Sequence, residues 1–214
     1  MTFDKPMEKV SVLIADDHEM VRRGLADGLK THQEFSLAGE AADGPETVAL
    51  YKETKPDVVL LDYRMPGANG DEITEELIAF DPEAKVLMLT SYDWEEDIWR
   101  AFIAGALGYV PKSAHMDQIY KGIQEVAVGR QFFPPEIMQK IEAREKRETL
   151  TQREQQVLAL LSGGFSNKEI MQHLNLSTGT VRTHVSSILA KLNANDRTHA
   201  VVKAVRRGMV HLDM

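Results

Sequence analysis

The 214-residue sequence contains no cysteine, which excludes disulfides and thiolate zinc sites. No apolar run approaches the ~18 residues that a bilayer-spanning helix requires. Residues 1–6 are polar and lack the apolar core of a signal peptide. Together these absences predict a cytoplasmic protein with no membrane partner. There is no internal repeat and no low-complexity segment. Acid is scarce only at one end. Residues 149–214 carry eight Lys+Arg against four Asp+Glu, a net +4, and hold four of the seven histidines. Residues 1–130 carry 13 bases against 25 acids, a net −12, and residues 131–148 are neutral with four of each. An acidic half joined to a basic half points to a nucleic-acid partner for the basic end alone, a split that the overall −8 conceals.

Along residues 1–129, apolar runs of strand length (10–15, 35–39, 58–61, 86–89 and 108–110) alternate with amphipathic stretches near 18–31, 45–54, 70–80, 94–104 and 114–128. Several runs are β-branched and apolar on both faces, the mark of a parallel sheet covered on both sides. Five such units predict a doubly wound α/β fold, whose functional residues gather at the carboxyl ends of the strands. Residues 130–148 open on Pro134-Pro135 and continue as a charged stretch with few apolar positions. They read as a partly helical linker and not as a core element. From 149 to 214 the pattern is all helical. Thr151 with Glu154 and Ser166 with Glu169 have capping-box spacing, Ser177 heads a third helix, and Asn195 or Asp196 heads a fourth.

Four features fall at or just past strand ends: Asp16-Asp17, Asp62, Thr90 and Pro111-Lys112. Parallel strands end at one edge, so these groups can converge. Taken singly each has an ordinary explanation, Asp16 and Glu19 as a capping box, Asp62 as a turn residue and Lys112 as a solvated lysine. Jointly they form a site. Three converging carboxylates repel unless a cation intervenes, and a hard divalent ion such as Mg²⁺ suits oxygen ligands. A Thr90 hydroxyl and a Lys112 ammonium would complete a seat for a phosphoryl group, whose transfer depends on positioning and charge neutralisation.

These residues, with Met65-Pro66-Gly67 and Gly70 after Asp62, Ser91 after Thr90, and Gly105-Ala106-Leu107-Gly108-Tyr109-Val110 before Pro111-Lys112, resemble the receiver domains of two-component response regulators. The resemblance spans about residues 8–128 and implies a flavodoxin-like, five-stranded receiver. It implies that Asp62 accepts phosphate from a sensor histidine kinase. It further implies that Asp17, Asp62 and the Arg64 backbone carbonyl bind Mg²⁺ with Asp16 helping through water, that Thr90 and Lys112 hold phosphoryl oxygens, and that Thr90 and Tyr109 form a switch pair. Ser113 stands where the family commonly has proline. Arg64 and Tyr92, each two positions after a site residue, are expected to crowd the line of attack of water and lengthen the phosphoryl lifetime.

The tail, through Leu150-Thr151-Gln152-Arg153-Glu154, Ser166-Asn167-Lys168-Glu169-Ile170 and Ser177 to Leu192, resembles the LuxR-type helix-turn-helix domain of NarL-like regulators. That implies a small all-α domain binding double-stranded promoter DNA, a recognition helix starting at Ser177, and a homodimer when phosphorylated. At 100° per residue, Val181, Val185, Ile188 and Leu192 form a buried stripe, while Arg182, Thr183, Ser186, Ser187 and Ala190 lie opposite. Arg182, Thr183 and Ser186 are the expected groove contacts, with Lys168 and Lys191 as phosphate contacts. His184 lies nearer the core. A phosphohydrolase with an aspartyl nucleophile would need a second carboxylate at position 64, which is arginine. A receiver degenerate in function would not keep all five site residues. A regulator, not an enzyme, is therefore expected.

Overall fold

The computed structural model describes residues 9–91, 94–146 and 148–210. Two compact units divide the chain, the first ending at Ile141 and the second comprising Trp94–Glu96 together with the residues from Glu142 on.

In the first unit, β1 (Val10–Ala15), β2 (Phe35–Ala41), β3 (Val58–Asp62), β6 (Val86–Thr90) and β7 (Gly108–Pro111) form one parallel sheet in the order β2-β1-β3-β6-β7. Consecutive side chains point to opposite faces, so each central strand supplies two cores. Leu13, Val59, Leu61, Val86 and Met88 enter one. Val12, Ile14, Val58, Leu60 and Leu87 enter the other. Helices α1 (Glu19–Thr31), α2 (Gly44–Thr54), α3 (Gly70–Phe80), α4 (Glu95–Ile103) and α5 (Met116–Ala127) connect the strands. The doubly wound reading is thus realised, with a two-stranded antiparallel hairpin, β4 (Arg64–Met65) and β5 (Ala68–Asn69), added after β3. Gly67, at φ +88°, makes the turn between them.

The stretch expected to be a linker without core residues differs. It does form a helix, α6 (Pro135–Glu145), with Pro135 at its first position. However, Ile137 and Ile141 are 2% and 3% exposed and belong to the first of the two cores. Ahead of it, Phe132 exchanges backbone hydrogen bonds with Leu107 and Tyr109 along the edge of β7. Two isoleucines spaced one helical turn apart are enough to dock a helix that otherwise looks solvated.

The second unit contains α7 (Gln152–Ser162), α8 (Asn167–Leu174), α9 (Thr178–Lys191) and α10 (Arg197–Arg206). Both capping boxes form, at Thr151 with Glu154 and at Ser166 with Glu169. Ser177 caps α9, and Asp196 caps α10. Val157, Leu158, Leu161, Ile170, Val181, Ile188, Leu192 and Ala200 make its core.

Candidate phosphoacceptor site and nucleic-acid interface

At the carboxyl edge of the sheet, Asp16 follows β1, Asp62 ends β3, Thr90 ends β6, and Lys112 follows β7. Asp16, Asp62 and Thr90 are 0%, 4% and 5% exposed, so each charge there needs a partner. The Lys112 ammonium provides one for two carboxylates at once, 2.6 Å from Asp62 Oδ2 and 2.7 Å from Asp16 Oδ2. Its backbone N–H donates to the Thr90 carbonyl at 2.7 Å, which holds the lysine to the end of β6. Burial pushes the Asp62 carboxyl above the ordinary carboxylate range. The hydrogen bond and charge of Lys112 oppose that push, the charge of Asp16 adds to it, and the Arg64 backbone N–H, donating to the carboxylate, lowers it again.

The ordinary alternative for these residues, a capping box at Asp16 and Glu19, is not formed. Asp16 Oδ1 instead accepts from the His18 backbone N–H at 2.8 Å, and His18, the N-cap of α1, makes no side-chain cap. Asp16 is thereby aimed at the site and not at the helix. Ligand atoms of Asp16, Asp17, His18 and Asp62 all lie within 4.8 Å of one another, near the ~4.2 Å that separates opposite oxygen ligands of a Mg²⁺ ion. The three carboxylates suit Mg²⁺. His18 was not singled out from the sequence, although its place directly after Asp16-Asp17 was a signal. Its Nδ1 lies 2.5 Å from Asp17 Oδ1.

The turn behind Asp62 depends on a close backbone approach. A Cβ on Gly70 would sit 3.0 Å from Tyr63 Cα and 3.2 Å from the Asp62 carbonyl oxygen. Tyr109 is 0% exposed within β7. No cis peptide bond occurs among the described residues.

Arg64 is not simply a side chain at the mouth of the site. Its guanidinium lies 3.3 Å from Asp97 Oδ2 on α4. Asp97 is 4% exposed, and burial pushes its carboxyl up against the lowering influence of Arg64 and Arg100. Beside it, Tyr63 hydrogen-bonds Asp71, and burial together with the charges of Asp97 and Asp71 pushes its phenol far up. Sequence reading missed Asp97, although an acid on the same helical stripe as the buried Ile98 and Ala101 was a readable signal. Tyr92 lies outside the described residues.

In the second unit α9 divides as its periodicity predicts. Val181, Ile188 and Leu192 are buried, Val185 and His184 are half-buried, and Arg182, Thr183, Ser186 and Ala190 are exposed. Ser187 departs from the expected exposed side, since its Oγ donates to Glu154 Oε1 at 2.5 Å. Lys191 departs from the role of solvent-facing phosphate contact. Its ammonium lies 2.8 Å from Glu154 Oε2 and donates to the Thr149 carbonyl at 3.0 Å. Lys168 is exposed at the start of α8.

Residues 12–124 match the family described as the response regulator receiver domain, and residues 148–204 match bacterial regulatory proteins of the luxR family. The response regulator protein VraR of Staphylococcus aureus is 38% identical over 206 residues, which cover 94% of this chain and 99% of VraR. The crystal structure of the response regulator ChrA of a heme-sensing two-component system is 33% identical, covers 94% of this chain and 99% of its own, and superposes with a TM-score of 0.56. RcsB from Salmonella enterica serovar Typhimurium, solved on a promoter with the phosphomimetic BeF₃⁻, covers 93% and 99% with a TM-score of 0.71. At 22% identity that likeness bears on the fold alone.

Proposed function

The chain belongs to the response regulators that join a receiver domain to a LuxR-type DNA-binding domain, and from that premise we propose that Asp62 is its phosphoacceptor. The observation that carries the proposal is the Lys112 ammonium set between Asp16 and Asp62 at the edge of the sheet. A carboxylate oxygen of Asp62 attacks the phosphorus of a phosphohistidine on a sensor kinase. The P–N bond breaks, the imidazole nitrogen leaves and takes a proton, and Asp62 carries an acyl phosphate. Lys112 moves from carboxylate to phosphoryl oxygen, and the Thr90 hydroxyl donates to another, compensating charge as it develops. Asp17, Asp62 and the Arg64 carbonyl would hold Mg²⁺, with Asp16 helping through water, and the ion would supply neutralisation of the phosphoryl charge. Position 64 offers no carboxylate for acid–base hydrolysis, because it is an arginine bonded to Asp97, so turnover as a phosphohydrolase is disfavoured.

In this reading Thr90 and Tyr109 report the phosphoryl group to the rest of the receiver, and two phosphorylated chains pair on promoter DNA in the cytoplasm. Arg182, Thr183 and Ser186 face the groove, and Lys168 meets the phosphate backbone. The test uses a small acyl phosphate, acetyl phosphate, with Mg²⁺. Wild type gains a base-labile phosphoryl group and binds promoter DNA more tightly, while Asp62→Ala does neither. Labelling of Asp62→Ala equal to wild type overturns the assignment.

A further inference from the structure

We infer that Arg22 is a positioning residue of the phosphoacceptor site: its guanidinium holds the Asp16–Asp17 peptide so that Asp17 presents its carboxylate to a divalent cation. The inference rests on the reading of Asp16, Asp17 and Asp62 as the cation-binding edge of that site. The ladder between β1 and β2 ends at Ala15 opposite Ala41, and the Asp16 N–H still donates to the Ala41 carbonyl at 3.1 Å. The Asp16 carbonyl lies one step past the ladder, in a buried residue, where a carbonyl needs a donor. Arg22 supplies it, with Nη1 2.6 Å from the carbonyl oxygen. Arg22 stands in the first turn of α1, and helical side chains lean toward the helix N-terminus. A long side chain there reaches back to the strand that the helix follows. The Arg22 side chain is mostly buried, and its Nε lies 3.8 Å from Glu40 Oε2 on β2, so the guanidinium is itself held in place.

Asp16 and Asp17 are fixed by different means. The Asp16 carboxylate accepts from the His18 backbone N–H at 2.8 Å and meets the Lys112 ammonium at 2.7 Å. The Asp17 carboxylate is partly exposed, and its neighbour is the exposed imidazole of His18. The direction of Asp17 is therefore set by its backbone. A peptide unit is planar, so anchoring the Asp16 carbonyl fixes the plane that carries the Asp17 nitrogen and Cα. The guanidinium meets a carbonyl and Glu40, and so orders the acidic loop without taking a carboxylate oxygen of the site. Charge and position then predict opposite signs. A guanidinium near a cation site repels the cation, so through its charge alone its removal would tighten Mg²⁺ binding. Through position its removal weakens binding, and partners that orient metal ligands typically contribute about 10–100-fold to affinity.

The experiment titrates full-length wild type, Arg22→Met and Arg22→Lys with MgCl₂, followed by amide chemical shifts, and measures labelling by acetyl phosphate at saturating Mg²⁺. Arg22→Met is expected to raise the Mg²⁺ dissociation constant about tenfold, with the labelling rate at saturating Mg²⁺ within about twofold of wild type. Arg22→Lys keeps a donor for the carbonyl and is expected to stay within about threefold of wild type in affinity. A dissociation constant unchanged or lowered in Arg22→Met overturns the inference. So does a labelling rate at saturation that falls as far as the affinity, which general damage to the fold would produce, or a loss in Arg22→Lys as large as in Arg22→Met. Arg22→Gln carries the same comparison if Arg22→Met does not fold. Labelling that survives Asp62→Ala strikes the phosphoacceptor assignment, and the Mg²⁺ affinities still decide the role of Arg22.

Discussion

Replacing Glu154 with glutamine should cost the DNA-binding unit about 3 kcal/mol at neutral pH, for reasons that lie in the three hydrogen bonds its carboxylate accepts. The Glu154 carboxylate is 4% exposed. It accepts from Lys191 Nζ at 2.8 Å, Ser187 Oγ at 2.5 Å and the Thr151 backbone N–H at 2.7 Å, while the Glu154 N–H donates to Thr151 Oγ1 at 3.3 Å. One side chain therefore caps α7 and ties it to α9. Burial raises its pKa, but the bonds from Lys191, Ser187 and Thr151 outweigh that and hold it down at about 2, against an ordinary 4.5. At ~1.4 kcal/mol per unit the difference is roughly 3 kcal/mol. The cost of removing one partner from a buried pair, about 3–5 kcal/mol, is of the same order. Against the few kcal/mol that stabilise a small domain, such a loss should loosen α9 while the receiver stays folded.

Because the folded-state pKa lies below the unfolded one, this stabilisation is fully present above about 4.5 and disappears as the pH falls toward about 2. Native-state hydrogen exchange on the full chain should show α7 and α9 amides losing about 3 kcal/mol of protection in Glu154→Gln near pH 7. Urea unfolding followed by circular dichroism should show the gap between variant and wild type closing across that acid window. A deficit below about 1 kcal/mol at neutral pH, or a gap that persists unchanged at low pH, refutes the account.

Two further outcomes follow from other elements. Arg182→Ala should weaken promoter binding and reduce the slope of log K against log salt by about 1, whereas Lys191→Ala, whose ammonium already serves Glu154, should leave the slope unchanged and lower the melting temperature. Ile141→Ala should destabilise the receiver by about 2–4 kcal/mol in urea titrations, since the side chain is 3% exposed in the sheet core; a loss below about 0.5 kcal/mol would show that α6 is not anchored there.

The signals that were legible in the sequence share a property: each acts within one element or along one strand edge. The five strands were readable because apolar runs buried on two faces are local patterns. The caps at Thr151, Ser166 and Ser177 were readable because each is closed by a residue three positions on. Asp16, Asp62, Thr90 and Lys112 were readable despite their separation, because parallel strands deliver their last residues to one edge. The α9 stripe followed from helical period alone. The hairpin after Asp62 was less visible, since its strands are two residues each and carry no periodicity.

By itself, then, the sequence determined a doubly wound receiver, a cluster of acids around Asp62, and a basic four-helix tail with Arg182 on its exposed face. Tertiary structure alone decided which charges are committed to partners. Arg64 meets Asp97 thirty-three residues away, Lys191 meets Glu154 thirty-seven away, and Ile137 and Ile141 find the sheet core from a stretch that looks solvated. No local period encodes such pairings. A buried charge takes whichever opposite charge the packing brings within reach, and an amphipathic turn docks only where a neighbouring face is left open to it.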